Sequence, residues 1–227
     1  MSRPRCVVFD IDDTLYLEGD YIRSGFAAVG EWARQNLKID DFGTLAWGQF
    51  ERGSRHTVFD RALKQHGVAV TDDLIARMVE VYRAHAPRIA LLEDARACIK
   101  SLAPLVRLAA ISDGPPESQQ AKVTALGLAK LLDPIVLTEA LGRGFTKPHE
   151  HAFRLTEALT NCQGAECAYV GDNPAKDFVA PKALGWQTVR VRRAAGLHAA
   201  EPSGADVDIE IADLDRLTGL LMAPASV

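Results

Sequence analysis

Cys6-Val7-Val8-Phe9-Asp10-Ile11-Asp12-Asp13-Thr14 is the stretch that decides the fold. Val7, Val8 and Phe9 are β-branched or aromatic, and the apolar run stops abruptly at Asp10. It shows no apolar–polar alternation. A strand with one wet face would alternate, whereas a strand buried on both faces of a parallel sheet reads as a short continuous apolar run. Parallel neighbours need crossover connections, so this reading predicts helices alternating with more strands of the same kind.

The chain supplies them from about residue 91 onward. Helical patterns at Glu93–Leu102, Glu117–Leu126, Pro148–Thr160, Pro174–Leu184 and Asp213–Met222 alternate with strand patterns at Val106–Ile111, Pro134–Leu137, Glu166–Val170, Trp186–Val191 and Asp208–Ile211. Gly127 and Gly185 lie just past two of the helices, where a left-handed cap is favoured. Pro134 suits only the first position of its strand. The pattern predicts an α/β fold with a doubly wound parallel sheet.

Two stretches depart from this plan. From about Tyr16 to Ala90 the chain is almost all helical, with segments at Asp20–Leu37, Phe42–Phe50, Val58–Gln65 and Asp72–Ala86. Tyr21, Phe26, Val29, Trp32 and Ala33 recur near helical spacing in the first of them. The expected organisation is a core of residues 1–15 and 91–227 with an inserted helical unit at 16–90. Arg192–Ala205, rich in Ala, Gly and Pro, reads as a surface loop.

Composition narrows the function. The 227 residues are 48% hydrophobic and 25% charged, with a net charge of -4, which disfavours a sequence-independent nucleic-acid surface. No apolar run reaches bilayer length, and Cys6–Phe9 is too short for a signal-peptide core. The four cysteines show neither a CxxC pair nor zinc-like spacing, so reduced thiols and a cytoplasmic location are expected. His149 and His151 are two residues apart, which does not place them on one helical face, and they are not read as a metal site.

Three strand ends carry the unusual residues: Asp10 to Thr14, Ser112-Asp113-Gly114, and Gly171-Asp172-Asn173-Pro174-Ala175-Lys176-Asp177. Ligands of open parallel sheets bind beyond the carboxyl ends of the strands, so these segments are expected to converge, with Lys147-Pro148 joining from the side. Asp10, Asp12, Asp172 and Asp177 repel one another when ionised together. A hard dication such as Mg2+ relieves that repulsion and accepts carboxylate, carbonyl and water ligands. A phosphate completing the shell needs donors, which the Ser112 hydroxyl, backbone N–H groups near Asp113 and the Lys147 ammonium can supply. One carboxylate can then attack phosphorus while a second handles the proton of the leaving oxygen.

At these residues the chain resembles the haloacid dehalogenase-like hydrolase superfamily, in its phosphatase branch with a helical cap after the first motif. Asp10-x-Asp12-x-Thr14 matches the first motif DxDxT, Ser112 the second, Lys147 the third, and Gly171-Asp172 through Asp177 the acidic fourth. The resemblance implies a Rossmann-like core and a role for each residue. Asp10 is implied as nucleophile and metal ligand. Asp12 is implied as general acid/base and as a Mg2+ ligand through its carbonyl. Thr14 is implied to support the first loop. Ser112, Asp113 and Lys147 fall on the substrate side, Asp172 on the metal, and Asp177 in support of it. The dehalogenating branch lacks an acid at the second position, because halide leaves without a proton; Asp12 therefore points to phosphate esters.

The leading expectation is a Mg2+-dependent phosphohydrolase of a small phosphorylated metabolite, a sugar phosphate or nucleotide, acting through an aspartyl-phosphate. A phosphomutase uses the same core, and a non-catalytic binding module is the third reading. Arg52, Gly53, Ser54, Arg55 and His56 form a polar, basic patch between helical stretches. It fits either a substrate-recognition segment or a solvated connection.

Overall fold

A computed structural model describes residues 3–223. Its strands are β1 (Cys6–Phe9), β2 (Arg107–Ser112), β3 (Ile135–Leu137), β4 (Cys167–Gly171), β5 (Gln187–Val191) and β6 (Ile209–Ile211). Its helices are α1 (Glu18–Leu37), α2 (Phe42–Glu51), α3 (Val58–Gln65), α4 (Asp72–Ala84), α5 (Glu93–Leu102), α6 (Pro116–Leu126), α7 (His151–Thr160), α8 (Val179–Ala183) and α9 (Leu217–Met222). The chain divides into two units, Met1–Glu18 with Ala90–Val227, and Gly19–Ile89.

In the first unit the strands form one sheet in the order β3-β2-β1-β4-β5-β6, every pairing parallel. The chain steps from β1 to β2 and β3 on one side, then crosses to β4, β5 and β6 on the other. The order therefore reverses around β1, where a ligand crevice is expected in this topology. Register fixes the rest: Phe9 lies opposite Ala110 of β2 and Val170 of β4, so Asp10 emerges between the ends of its two neighbours.

β1 is buried at every residue, as the unbroken apolar run predicts. On one face Val8, Ile111, Tyr169, Phe153, Phe178 and Trp186 share a core. The Phe153 ring stands edge-on to Tyr169 at 5.1 Å and to Trp186 at 5.6 Å, locking α7 to β4 and the start of β5. Each such buried aromatic contributes about 2–3 kcal/mol from surface removed from water. Cys6 and Cys167 are neighbours across β1 and β4, and all four cysteines are free and buried.

Helix starts differ most from the sequence reading. α7 begins at His151 rather than Pro148, because the residues before it close a turn in which His149 N donates to Thr146 O at 3.0 Å. α8 contracts to Val179–Ala183: the segment before it is held instead by side chains, with Asn173 Oδ1 accepting from Ala175 N at 3.0 Å. α9 begins at Leu217 rather than Asp213.

The second unit buries Phe26, Val29, Phe42, Phe50, Leu63 and Met78 among its helices. α1 and α2 touch backbone to backbone at Gly30 and Gly43. A methyl group on Gly43 would lie 2.8 Å from Phe26 O, so a side chain there would force the helices apart. The Arg55 guanidinium lies 4.1 Å over the Phe50 ring and donates to Phe50 O at 2.8 Å. With His56, Asp60 and apolar residues of α1, α3 and α4 it lines a cavity of about 310 Å3 within this unit. Among the described residues no helix is long and apolar enough to cross a membrane.

Candidate active site

Lys147 sits in the crevice with its side chain wholly buried. Its ammonium donates to Asp10 Oδ1 at 2.6 Å, Asp177 Oδ1 at 2.7 Å and the Tyr169 hydroxyl at 2.9 Å. Burial alone would discharge a lysine, but the two carboxylates outweigh it and hold the group charged, well above the ordinary lysine range. Asp177 also organises backbone: its Oδ2 accepts from Asp172 N at 3.1 Å and Asn173 N at 2.9 Å. Gly171 makes room for that carboxylate, since a methyl group there would lie 2.5 Å from Asp177 Oδ2.

The same pocket carries more negative charge than Lys147 can neutralise. Burial pushes Asp10 up to about 7, Lys147 opposing and Asp177 adding to the rise. Burial, with Asp10 and Asp177 nearby, pushes Asp172 up to about 10. One carboxylate oxygen from each of Asp10, Asp172 and Asp177 lies within 4.8 Å of the others. Three converging carboxylates, two of them strained towards protonation by burial and mutual repulsion, form a hard-oxygen donor set that fits Mg2+.

Asp12 stands apart from this cluster and has its own counter-ion. Lys122, on α6, reaches both carboxylate oxygens at 2.7 and 2.8 Å. The Tyr16 hydroxyl donates to Oδ1, and Gln119 Nε2 donates to Oδ2 at 3.2 Å. Burial pushes Asp12 up, but the Lys122 ion pair and these hydrogen bonds outweigh it and hold the carboxyl below its usual range. Ser112, fully buried at the end of β2, donates its hydroxyl to Gln119 Oε1 at 3.0 Å. Glu18 is pushed up to about 8 by burial and by Asp12. The sequence reading assigns no site role to Lys122, Gln119, Tyr16 or Glu18. Gln119 and Lys122 carried a signal, since they share the helical face of Val123 and Leu126, where polar residues at core spacing need partners.

The remaining expected residues fall into bracing positions. The Asp113 carboxylate accepts from Thr138 Oγ1 at 2.7 Å, Lys147 N at 3.0 Å and Lys176 Nζ at 3.0 Å. It thereby joins the ends of β2 and β3, the Lys147 loop and the loop after β4. Asp13 accepts from Glu18 N at 2.8 Å and Leu197 N at 2.7 Å, so it caps backbone groups. Thr14 is buried; Arg193 grips its carbonyl at 2.7 and 3.0 Å, while its hydroxyl meets no partner among the described residues.

Arg192–Ala205, expected as a plain surface loop, is stapled to the site by arginines. Arg190, fully buried in β5, donates to Asp172 O at 3.0 Å, His198 O at 2.8 Å and Glu201 O at 2.8 Å. Asn173 Nδ2 meets His198 Nε2 at 2.9 Å. The loops after β1 and β4 are thus tied to each other through this segment.

Reversal of strand order around β1, with acidic loops at the ends of β1 and β4 and a buried lysine between them, places the chain among doubly wound α/β enzymes with an acidic switch-point crevice. The chain belongs to the haloacid dehalogenase-like hydrolase family, whose pattern matches residues 4–185. It is 28% identical over 203 residues to a glyceraldehyde 3-phosphate phosphatase of Methanocaldococcus jannaschii, covering 82% of this chain and 83% of the relative. It is 27% identical over 203 residues to an (S)-2-haloacid dehalogenase of Xanthobacter autotrophicus, covering 83% of this chain and 75% of that one. Among solved structures, the magnesium-bound HAD-hydrolase YfnB from Bacillus subtilis superposes with a TM-score of 0.69 at 20% identity. That match covers 97% of this chain and 100% of the other.

Proposed function

We propose that this hydrolase is a phosphatase, cleaving a phosphate monoester of a small metabolite through an aspartyl-phosphate formed on Asp10. The observation that carries the reading is the pairing of two aspartates with two separate lysines. Asp10 is clamped by Lys147, and Asp12, two residues on, is held by a different lysine, Lys122. A halide needs no proton to leave, so a dehalogenase has no use for this second, separately held acid. An alkoxide does need one. The phosphatase named among the relatives acts on a triose phosphate, which supports a small phosphorylated substrate.

In this reading Asp10 attacks phosphorus, the ester P–O bond breaks, and the departing oxygen takes a proton from Asp12. Asp12, then ionised, takes a proton from water, which attacks the aspartyl-phosphate and frees inorganic phosphate. The resting Asp12 is in its base form; a phosphoryl dianion placed beside it opposes ionisation and favours the proton-carrying form. Lys147 offsets the charge of Asp10 and of the transferred group. Asp113 is a positioning residue whose carboxylate holds Lys147 N and Lys176, leaving backbone N–H groups of its loop for the phosphoryl oxygens. Asp10, Asp172 and the Asp12 carbonyl would hold Mg2+, with Asp177 in support, and the bound cation would supply charge neutralisation at phosphorus.

Mg2+ is expected to raise the melting temperature more at pH 8 than at pH 6. Asp10 and Asp172 have folded-state values raised above those of an unfolded carboxylate. Their contribution to stability is therefore greatest at low pH and is lost as pH rises through about 7 and about 10. Binding a cation requires their ionised forms, so affinity falls up to about tenfold per pH unit for each proton displaced. Calorimetry with and without Mg2+ at the two pH values checks this; an equal shift at both would count against the three-carboxylate site.

Phosphate release from a panel of sugar phosphates, nucleotides and an aryl phosphate, with and without Mg2+, tests the function. Mg2+-dependent release is the expected result. Absence of turnover on every member, together with no trapping of beryllium fluoride on Asp10, would overturn the reading.

A further inference from the structure

Gln119 and Lys122 lie three residues apart on α6, hence on one face, and both are buried at 2% and 4% exposure. A buried lysine and a buried amide cost several kcal/mol unless fully partnered, and their partners here lie in two separate loops of the site. Gln119 uses every part of its amide: Oε1 accepts from Ser112 Oγ at 3.0 Å, while Nε2 donates to Asp113 O at 2.7 Å and Asp12 Oδ2 at 3.2 Å. Only this orientation sets the amide NH2 towards two acceptors and the oxygen towards a hydroxyl donor. Gly114 lets the loop close on that amide, since a methyl group there would lie 2.7 Å from Nε2. Lys122 meets both oxygens of Asp12, fixing the plane of the carboxylate as well as its charge.

We propose that α6 supplies two positioning residues, Gln119 and Lys122, which set the Asp12 carboxylate at the leaving oxygen and fix the Ser112 hydroxyl relative to it. The proposal rests on the reading of Asp12 as the acid of phosphoryl transfer. Its consequence is selective. Esters of poor leaving groups depend on a correctly aimed acid, whereas a nitrophenolate departs without a proton. Losing either α6 residue therefore penalises alkyl phosphates and largely spares nitrophenyl phosphate in kcat/KM, which ends with attack on Asp10.

The test compares kcat/KM on an alkyl phosphate and on nitrophenyl phosphate for the Mg2+-loaded wild type, Gln119→Met, Lys122→Met, Lys122→Arg and Asp12→Asn. The expected result is a fall of about 10–100-fold in the alkyl-to-aryl ratio for the two methionine variants, in the direction of Asp12→Asn. Lys122→Arg, which keeps the charge and two donors, is expected to recover part of the ratio. Should Lys122→Met fail to fold, Gln119→Met and Lys122→Arg carry the measurement. Equal losses on both substrates, or an unchanged ratio, would overturn the positioning role while leaving the phosphatase reading intact. A wild type inactive on both esters, or an Asp12→Asn ratio that does not move, would instead remove the reading beneath it.

Discussion

Asp10→Asn is expected to lower Mg2+-dependent phosphate release by about 10,000-fold or more while the protein stays folded. An amide is a far weaker nucleophile than a carboxylate, and removing a nucleophile eliminates the covalent route rather than one of several contributions to it. Folding should survive because Lys147 keeps two of its three partners, Asp177 and the Tyr169 hydroxyl. The variant also loses a buried acid that is pushed up to about 7, which is a source of instability near neutral pH in the absence of a cation. A melting temperature within a few degrees of wild type, beside loss of turnover, separates chemistry from folding. Retention of more than about a hundredth of the activity would exclude Asp10 as the nucleophile.

Lys147→Met is expected to damage both function and fold. The side chain is wholly enclosed, and its removal strands the facing carboxylates of Asp10 and Asp177 without a donor at that position. Breaking a buried pair from one side typically costs about 3–5 kcal/mol, because the remaining charge is uncompensated. The sign of the pH dependence follows. Without Lys147 the already raised Asp10 is raised further, so the loss is smallest in mild acid, where Asp10 carries a proton, and grows as pH rises towards 8. Mg2+ should return part of the stability by neutralising the same carboxylates. Activity should fall about 1,000-fold and stay low even with Mg2+ bound, since no ammonium remains beside Asp10 to offset the charge of the transferred group. Denaturant melts at pH 5.5 and 8 check the first part and single-turnover kinetics the second; a pH-independent loss would contradict the charge argument.

The core of this fold is readable in the residues because β1 is short, apolar and unbroken, and because a parallel sheet imposes crossovers that the helical periods then supply. The strand-end acids were visible for the same reason, since charge directly after a buried strand has few places to go except a crevice. The helix starts around the crevice were less legible. Proline at 148 and 174 marks a permitted helix start, yet turn and side-chain hydrogen bonds claim the backbone there, delaying α7 to His151 and α8 to Val179. Gln119 and Lys122 share the face of Val123 and Leu126, but the Asp12 carboxylate they both meet lies more than a hundred residues away in sequence, so the helical pattern alone does not say which group they serve. Arg190 was equally hidden inside a strand whose residues are all buried.

The arginine staple has a consequence for where this enzyme can be cut. The family pattern ends at residue 185, but the brace that joins Thr14 and Asp13 to Asp172 and Asn173 is drawn from Arg190, Arg193, Leu197 and His198. A fragment trimmed to the pattern would keep every acid of the crevice and lose the strap that holds two of its walls in register. Ala194 and Ala195 are exposed within that strap. A single protease nick there, about 180 residues downstream of Asp10 by position, would act as a remote off-switch without touching the acids of the crevice.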